Sequence, residues 1–258
     1  MTDSLLNHSA LTGSYFFPRQ ETPKEIFWVE TATDRLACAY HQVDGAERTL
    51  VHYHGNGEVV ADYEPYMAEI FAGFGLNTLF VEYRGYGAST GEPALAALLD
   101  DVPAVFEALD QPAEDLFVFG RSIGSLYAVE FAYRYPEIAG LILESGIADV
   151  LERILVRVSP RDLGADFQTI RDEVERLFNQ EEKLGAYEKP LLVLHARRDH
   201  LVNVSHGQRL HLWAASLQKR LSILPQGDHN SIFAANEQEY LRQLKLFFSM
   251  HGKRTLTV

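Results

Sequence analysis

Short apolar runs alternate with longer helical patterns along most of the 258-residue chain. The later runs are dominated by Leu, Val, Ile and Phe, which is typical of strands covered on both faces of a sheet. The first two runs are close enough in sequence to pair as an antiparallel hairpin. We predict eight strands, at residues 25–31, 37–43, 48–53, 77–83, 116–120, 141–144, 190–195 and 220–225.

Helical patterns separate most of these strands, which favours an α/β fold with a mainly parallel, eight-stranded sheet flanked by helices. Pro93 suits the start of the second helix, whereas Pro103 inside that helix predicts a kink or a break. The helical segments lie near residues 62–74, 94–109, 122–135, 206–216 and 236–250.

Residues 147–187 depart from the alternation, because they show helical patterning without a strand. Ile170, Val174, Leu177 and Phe178 recur there at a spacing that places them on one face of a helix. We interpret the segment as a small helical cap inserted in a single domain of residues 1–258. A chain of this length with 47% hydrophobic residues can bury the core of one such domain.

Composition narrows the expected partners and compartment. A net charge of −13 argues against nucleic acid, because phosphate binding needs clustered Lys and Arg. The first eight residues lack a basic stretch followed by an apolar one, and no run is long enough to span a bilayer. The one cysteine, Cys38, lies in an apolar run, as a buried and unreactive thiol would. We therefore expect a cytoplasmic protein that acts on a small molecule.

The residues Gly-Arg-Ser-Ile-Gly at 120–124 lie between a predicted strand and a predicted helix. A sharp turn there would strain the backbone of Ser122 and leave room only for glycine two residues to either side. The hydroxyl would be exposed at the N-terminus of a helix, whose dipole favours developing negative charge. This context indicates a nucleophilic serine.

A nucleophilic serine needs an imidazole to take its proton and a carboxylate to orient that imidazole. Asp199 and His229 each follow a predicted strand, in the chain order expected after Ser122. Glu144 and Asp149, after the preceding strand, are alternative acids. The alternative bases are His195, within a predicted strand, His206 and His211, on a predicted helix, and also His200 and His251.

Together with the upstream residues His-Gly-Asn-Gly at 54–57, this ordered set resembles the α/β-hydrolase superfamily. The segment Glu-Tyr-Arg-Gly-Tyr-Gly-Ala-Ser at 82–89 and the Gly-Arg-Ser form of the turn are similar to its branch of esterases, lipases and serine aminopeptidases. The resemblance covers nearly the whole chain. It implies Asp199 as the acid and His229 as the base.

The resemblance also implies an oxyanion hole formed by the backbone N–H groups of Asn56 and Ile123. With Ser122 as nucleophile, we expect hydrolysis of a carboxylic ester or related acyl bond of a small substrate through an acyl-enzyme, with no cofactor and no metal. Carboxylesterase, thioesterase and peptidase reactions all suit this set of residues.

Two other functions suit parts of the sequence. The α/β-hydrolase fold also occurs in non-catalytic binding proteins, many of which lose one of the three residues, whereas none is lost here. His52 and His54 form a His-x-His pair on one face of a strand end, as in metal-dependent amidohydrolases. Those enzymes are built on an eight-stranded barrel, which normally needs a longer chain than this one. A barrel would also leave the serine turn unexplained.

Three residues near these motifs have expected roles of their own. His54 is expected to pack against and orient its loop or, alternatively, to have a direct functional role. Arg84 is expected to support its turn by hydrogen bonds or, alternatively, to bind substrate. Arg121, next to the serine, is expected to pair with a carboxylate or, alternatively, to select an anionic substrate.

Overall fold

The computed structural model describes residues 4–251, so the first three residues of the N-terminal segment discussed above lie outside the described residues. Eight strands within this range form one sheet. They are β1 (Phe27–Glu30), β2 (Arg35–His41), β3 (Thr49–Tyr53), β4 (Asn77–Val81), β5 (Leu116–Arg121), β6 (Gly140–Glu144), β7 (Leu191–Ala196) and β8 (Lys219–Leu224).

The strands lie in the spatial order β1-β2-β4-β3-β5-β6-β7-β8. β2 pairs antiparallel with both β1 and β4, and all the other neighbours are parallel. The predicted hairpin and the mainly parallel, eight-stranded sheet are therefore confirmed. Because β3, β5, β7 and β8 run in the same direction, the loops that follow them meet at one edge of the sheet.

Helices cover both faces of the sheet, and each face has its own apolar cluster. The helices are α1 (Ser9–Tyr15), α2 (Met67–Gly73), α3 (Ala97–Leu109), α4 (Gly124–Arg134), α5 (Val150–Leu155), α6 (Phe167–Phe178), α7 (Gln180–Gly185), α8 (Val204–Trp213), α9 (Ile232–Ala235) and α10 (Glu237–His251). Helices α3, α4 and α8 pack on one face, and α2 and α10 on the other. None of the helices in residues 4–251 is long and apolar enough to cross a membrane.

Helix α3 differs from the sequence prediction at both prolines. It begins at Ala97, four residues after Pro93, and its first N–H groups donate to Oδ1 of Asn7 from the N-terminal segment. The predicted break at Pro103 is wrong, because α3 continues through it. Buried side chains such as Val105 hold the helix in place, although a proline removes one helical hydrogen bond.

Residues 147–187, all of them described, contain α5, α6, α7 and a short 3-10 helix, Pro160–Leu163, but no strand. The four apolar residues on one face of α6 are buried in the core. This segment contacts the N-terminal segment, since the hydroxyl of Tyr15 donates to the carbonyls of Arg153 and Ile154, the latter at 3.0 Å. The two segments therefore lie together above the sheet edge that holds the candidate site.

Candidate active site

Ser122 lies in a tight turn between β5 and α4, and its backbone has a φ of +52°. A Cβ at Gly120 would lie 2.6 Å from Cβ of Ala128, and one at Gly124 would lie 2.3 Å from the carbonyl oxygen of Tyr53. Only glycine fits at either position. The surrounding packing thus holds the serine in a left-handed conformation that is strained for any residue with a side chain.

The structure brings Ser122, His229 and Asp199 together. Nε2 of His229 lies 2.9 Å from Oγ of Ser122, and Nδ1 lies 2.7 Å from Oδ2 of Asp199. An ionised carboxylate can only accept a hydrogen bond, so Nδ1 carries a proton and Nε2 of the neutral ring can accept the serine proton. The hydrogen bonds therefore run in one direction, from the serine hydroxyl to the carboxylate.

Asp199 is held by the loop after β7. Its Oδ1 accepts hydrogen bonds from the N–H groups of Leu201 and Val202, at 3.0 and 2.7 Å. Burial acts to raise the pKa of Asp199, but the hydrogen bonds from His229 and from the Val202 N–H hold it below its usual value. The carboxylate therefore stays ionised and fixes the orientation of the imidazole.

Asn56 follows β3 and Ile123 follows the serine, and both line the same cavity as Ser122. Among residues 4–251, neither backbone N–H donates a hydrogen bond to the protein. The side chain of Asn56 is engaged elsewhere: it donates to the carbonyl of Tyr15 and accepts from the N–H of Phe17 at 3.2 Å. Two backbone donors beside the serine are thus free to bind a ligand oxygen.

Arg121 joins three parts of the site through one guanidinium group. Its Nη1 lies 2.7 Å from Oε1 of Glu58, its Nε lies 3.0 Å from Oε1 of Glu144, and its Nη2 donates to the carbonyl of His229 at 2.9 Å. Glu58 in turn accepts the N–H of Gly55, next to Asn56. Burial acts to lower the pKa of Arg121, but the two carboxylates raise it. Its charge is therefore already paired.

The two alternative acids, Glu144 and Asp149, form contacts with groups other than His229. Glu144 pairs with Arg121 and accepts a hydrogen bond from the hydroxyl of Tyr240. Asp149 caps the N-terminus of α5 by accepting the N–H of Glu152 at 2.8 Å. Among the described residues, Asp199 is the carboxylate that His229 contacts.

None of the alternative bases in residues 4–251 forms a hydrogen bond with Ser122. His195 is the nearest to the site: its Nε2 donates to the carbonyl of Val202 at 2.8 Å and lies 3.5 Å from Oδ2 of Asp199. His206 accepts the N–H of Ala148 on Nδ1, at 3.1 Å, and so supports the loop before α5. The remaining alternatives are His200, His211 and His251.

His52 and His54 have different surroundings. His52 packs among aromatic rings, 4.5 Å from the ring of Tyr63 and 4.9 Å from that of Phe119, and burial lowers its pKa. His54 donates from Nδ1 to the carbonyl of Gly55 and from Nε2 to Oε1 of Glu82, each at 2.7 Å. Burial acts to lower the pKa of His54, but Glu82 raises it above the ordinary value. In residues 4–251 no three His, Cys, Asp or Glu side chains lie close enough to hold a metal.

Two other residues singled out from the sequence have structural surroundings. Arg84 forms hydrogen bonds to both carboxylate oxygens of Asp101, at 2.7 and 2.5 Å, and to Asp34 at 2.9 Å. Cys38 is fully buried, and burial raises the pKa of its thiol. Such a thiol is a poor nucleophile.

A cavity of about 230 Å³ opens beside Ser122. Part of its wall was not expected from the sequence, namely four residues of the N-terminal segment. An apolar Phe-Phe pair after a short helix is a weak signal that many surface segments share. The walls of the cavity are formed by Leu11, Tyr15, Phe16 and Phe17 from the N-terminal segment, by Ile147, Val150, Arg153, Ile154 and Arg157 from the segment after β6, and by Leu95, Leu126, Leu201, Val202 and Asn230 elsewhere.

Comparison with known sequences adds to this geometry. Residues 44–161 match the model of a family described as "Serine aminopeptidase, S33". The chain is 29% identical over 231 residues to alpha/beta hydrolase domain-containing protein 17C of Mus musculus, covering 87% of this chain and 68% of that protein. It is 26% identical over 212 residues to the uncharacterized protein YfhR of Escherichia coli K12, covering 80% and 71%. The chain thus spans about two thirds of the length of the 17C relatives.

Solved structures share the fold at low sequence identity. The Pyrococcus furiosus esterase Pf2001 superimposes with a TM-score of 0.72 at 17% identity, covering 91% of this chain and 98% of the esterase. A monoacylglycerol lipase of Paleococcus ferrophilus superimposes with a TM-score of 0.67 at 17% identity, covering 84% and 99%. Both likenesses extend over most of the sheet and its helices.

Proposed function

The chain belongs to the α/β-hydrolase superfamily, and on that basis we propose that it is a serine hydrolase cleaving a carboxylic ester or related acyl bond of a small substrate. The observation that carries the proposal is the line of hydrogen bonds from Ser122 through His229 to Asp199. It connects a strained serine that lines the cavity to a carboxylate through an imidazole, which is the arrangement that activates a serine hydroxyl.

In the proposed reaction, Oγ of Ser122 attacks the carbonyl carbon while Nε2 of His229 takes the hydroxyl proton. Asp199 keeps the imidazole in the reactive tautomer and stabilises its charged form. The tetrahedral oxygen accepts hydrogen bonds from the N–H groups of Asn56 and Ile123. His229 then protonates the leaving group, which departs and leaves an acyl-enzyme.

Deacylation repeats these proton transfers, with water as the attacking group and Ser122 as the leaving group. A water molecule gives its proton to His229 and attacks the acyl carbon, and the released Ser122 recovers its proton while the acid departs. Every proton is thus passed between Ser122, His229, the leaving group and water. Apart from the substrate and this water molecule, the proposed chemistry uses only groups of this chain.

The surroundings of the serine support an acyl substrate. Most of the cavity wall is aliphatic or aromatic, and the two residues with free N–H donors line the same cavity. We regard residues 147–187 as a cap of the single domain of residues 1–258, since this segment forms one side of the cavity. The esterase and the lipase among the structural neighbours are in keeping with this substrate class.

Labelling with a fluorophosphonate probe tests the proposal. We expect the probe to label Ser122 and to block hydrolysis of p-nitrophenyl butanoate, and we expect Ser122→Ala to lose both labelling and hydrolysis. Ser249→Ala is the matched control, because Ser249 lies on the exposed side of α10. Labelling or turnover that persists in Ser122→Ala would show that Ser122 is not the nucleophile.

A further inference from the structure

The lining of the cavity differs in charge from the chain as a whole. The chain has 36 acidic and 23 basic residues. Among the described residues that line the cavity there are three arginines and no aspartate or glutamate. Arg121 is already paired with Glu58 and Glu144. Arg153 and Arg157, both on the side of the cavity formed by the proposed cap, therefore set its electrostatic character.

Arg153 lies on α5, close to two carboxylates that do not pair with it. Asp149 is 3.5 Å from Nη1 of Arg209, and Glu152 is 3.2 Å from both Arg209 and His206. Within residues 4–251 the guanidinium of Arg153 forms no ion pair and no hydrogen bond. The acids of this helix thus face α8, whereas Arg153 lines the cavity.

Arg157 is held in place without being neutralised. Its Nη1 donates to the carbonyl of Ser14 at 2.9 Å, and its guanidinium carbon lies 5.4 Å from the ring centres of Tyr15 and Phe17. In the described part of the chain it has no carboxylate partner. A guanidinium positioned by a carbonyl and by aromatic rings keeps its remaining N–H groups for a carboxylate or a phosphate.

We propose that Arg153 and Arg157 bind an anionic group of the substrate, a carboxylate or a phosphate, while its acyl chain packs on the apolar wall. This proposal rests on the proposed function, since it names the substrate class of the same site. All three groups, the two arginines and Ser122, line one cavity of about 230 Å³, so one small molecule can reach them together. This volume lies below the range of roughly 300–1,000 Å³ for drug-sized ligands, which favours a short acyl group.

The chemistry of the two side chains supports this class of ligand. Hydrogen bonds between a guanidinium and a carboxylate or phosphate are charge-assisted and often form in pairs, which gives them both strength and direction. Arg153 is half-buried and Arg157 is exposed, so with a neutral ester both guanidinium groups would be left to water, whereas an anionic group could pair with them. The protein should therefore hydrolyse an anionic ester faster than a neutral ester of the same size.

Matched substrate pairs test the proposal, with one pair for each possible source of the anion. The first pair is mono-p-nitrophenyl adipate and its methyl ester, which places a carboxylate at the far end of the acyl chain. The second is p-nitrophenyl 5-phosphonopentanoate and its dimethyl ester. The third is the butanoyl ester of 5-hydroxy-2-nitrobenzoate and of the corresponding amide, which places the carboxylate on the leaving group.

We expect kcat/KM to favour the anionic member of at least one pair by about tenfold, and the double variant Arg153→Gln, Arg157→Gln to lose about tenfold of that preference. The variant Arg153→Lys, Arg157→Gln should retain part of the preference for the anionic ester. Arg161→Gln is the matched control, because Arg161 is exposed in the same segment and does not line the cavity. The control removes one positive charge but should keep the full preference.

Calorimetric binding to Ser122→Ala separates this proposal from the proposed function. The anionic esters should bind this variant more tightly than their neutral partners, and the two arginine substitutions should remove the difference. Hydrolysis of neutral esters with no preference in any pair would overturn the proposed anion site alone. Preferential binding without turnover in the unaltered protein would overturn the serine hydrolase function but support the anion site.

Discussion

The floor and the cover of the cavity are built in different ways. The floor consists of the loops after β3, β5, β7 and β8, and its polar groups are joined by short hydrogen bonds and ion pairs that converge on Arg121 and His229. The cover consists of residues 9–17 and 147–157, and it meets the cavity mainly through apolar side chains and two unpaired arginines. A rigid polar floor suits chemistry, whereas an apolar cover suits substrate selection. Substitutions in the floor should therefore change kcat, and those in the cover should change KM and substrate preference.

Among these substitutions, His229→Ala should lower kcat the most, because His229 belongs to the floor and contacts Ser122 directly. Removing the imidazole leaves Ser122 without a base, so we expect kcat to fall by about a thousandfold or more. Steady-state hydrolysis of p-nitrophenyl butanoate measures this. His211→Ala is the control, because His211 lies on α8 and does not line the cavity, and it should leave kcat near the original value. Equal activity in the two variants would exclude His229 as the base.

Arg121→Met tests whether the floor depends on its central ion pairs. The substitution leaves Glu58 and Glu144 without their partner, and breaking a buried pair in this way destabilises a protein by about 3–5 kcal/mol. Urea unfolding followed by circular dichroism measures the free energy of unfolding. Arg161→Gln should leave that free energy nearly unchanged. An unaltered unfolding midpoint in Arg121→Met would show that the floor does not depend on this side chain.

Phe17→Ala tests the cover. Phe17 lines the cavity and is 47% exposed, so its removal should weaken substrate binding by about 1 kcal/mol, which is roughly a fivefold rise in KM, with little change in kcat. Tyr133→Ala is the matched control, because Tyr133 is 45% exposed and lies outside the cavity. A large loss of kcat with unchanged KM would contradict the separation between cover and floor.

His206 provides a smaller, pH-dependent test of how the cover is anchored. Burial and the charges of Arg209 and Arg153 lower its pKa, although Glu152 acts in the opposite direction. A histidine whose pKa is lowered by folding stabilises the protein above its ordinary value of about 6.5, and this contribution is lost as the pH falls below that value.

We therefore expect the free energy of unfolding to decrease from pH 7 to pH 5, and to decrease less in His206→Gln. Glutamine does not titrate and can still accept the N–H of Ala148. Part of the decrease should remain, because the pKa values of His52 and His195 are also lowered by burial, and together they outnumber His54, whose raised pKa acts in the opposite direction. Urea titrations at several pH values measure this. The same decrease in both proteins would exclude His206 as a contributor.

The floor was easier to predict from sequence than the cover. The inner strands are buried on both faces and are therefore largely apolar, which made their bounds predictable, such as 190–195 for β7 (Leu191–Ala196). The edge strands β1 and β8 are only partly buried, but turn residues and short apolar runs still indicated them. Parallel strands bring their following loops to one edge, which is why Ser122, Asp199 and His229 could be expected near one another. Their catalytic roles stay a proposal.

The cover could not be predicted because its structure depends on distant contacts. The start of α3 is set by Asn7, about ninety residues away in sequence, and not by Pro93. Pro103 does not end α3, because tertiary packing outweighs one lost hydrogen bond. Arg153 and Arg157 have no motif of their own, and only the three-dimensional structure places them beside the serine.

Trapping the acyl group on the protein tests most directly whether Ser122 is the nucleophile. Rapid acid quenching during turnover of p-nitrophenyl butanoate, followed by mass spectrometry of the peptides, locates the covalent intermediate. We expect a butanoyl group on Ser122 in the unaltered protein and none in Ser122→Ala. Steady hydrolysis with an acyl group on another residue would contradict this assignment.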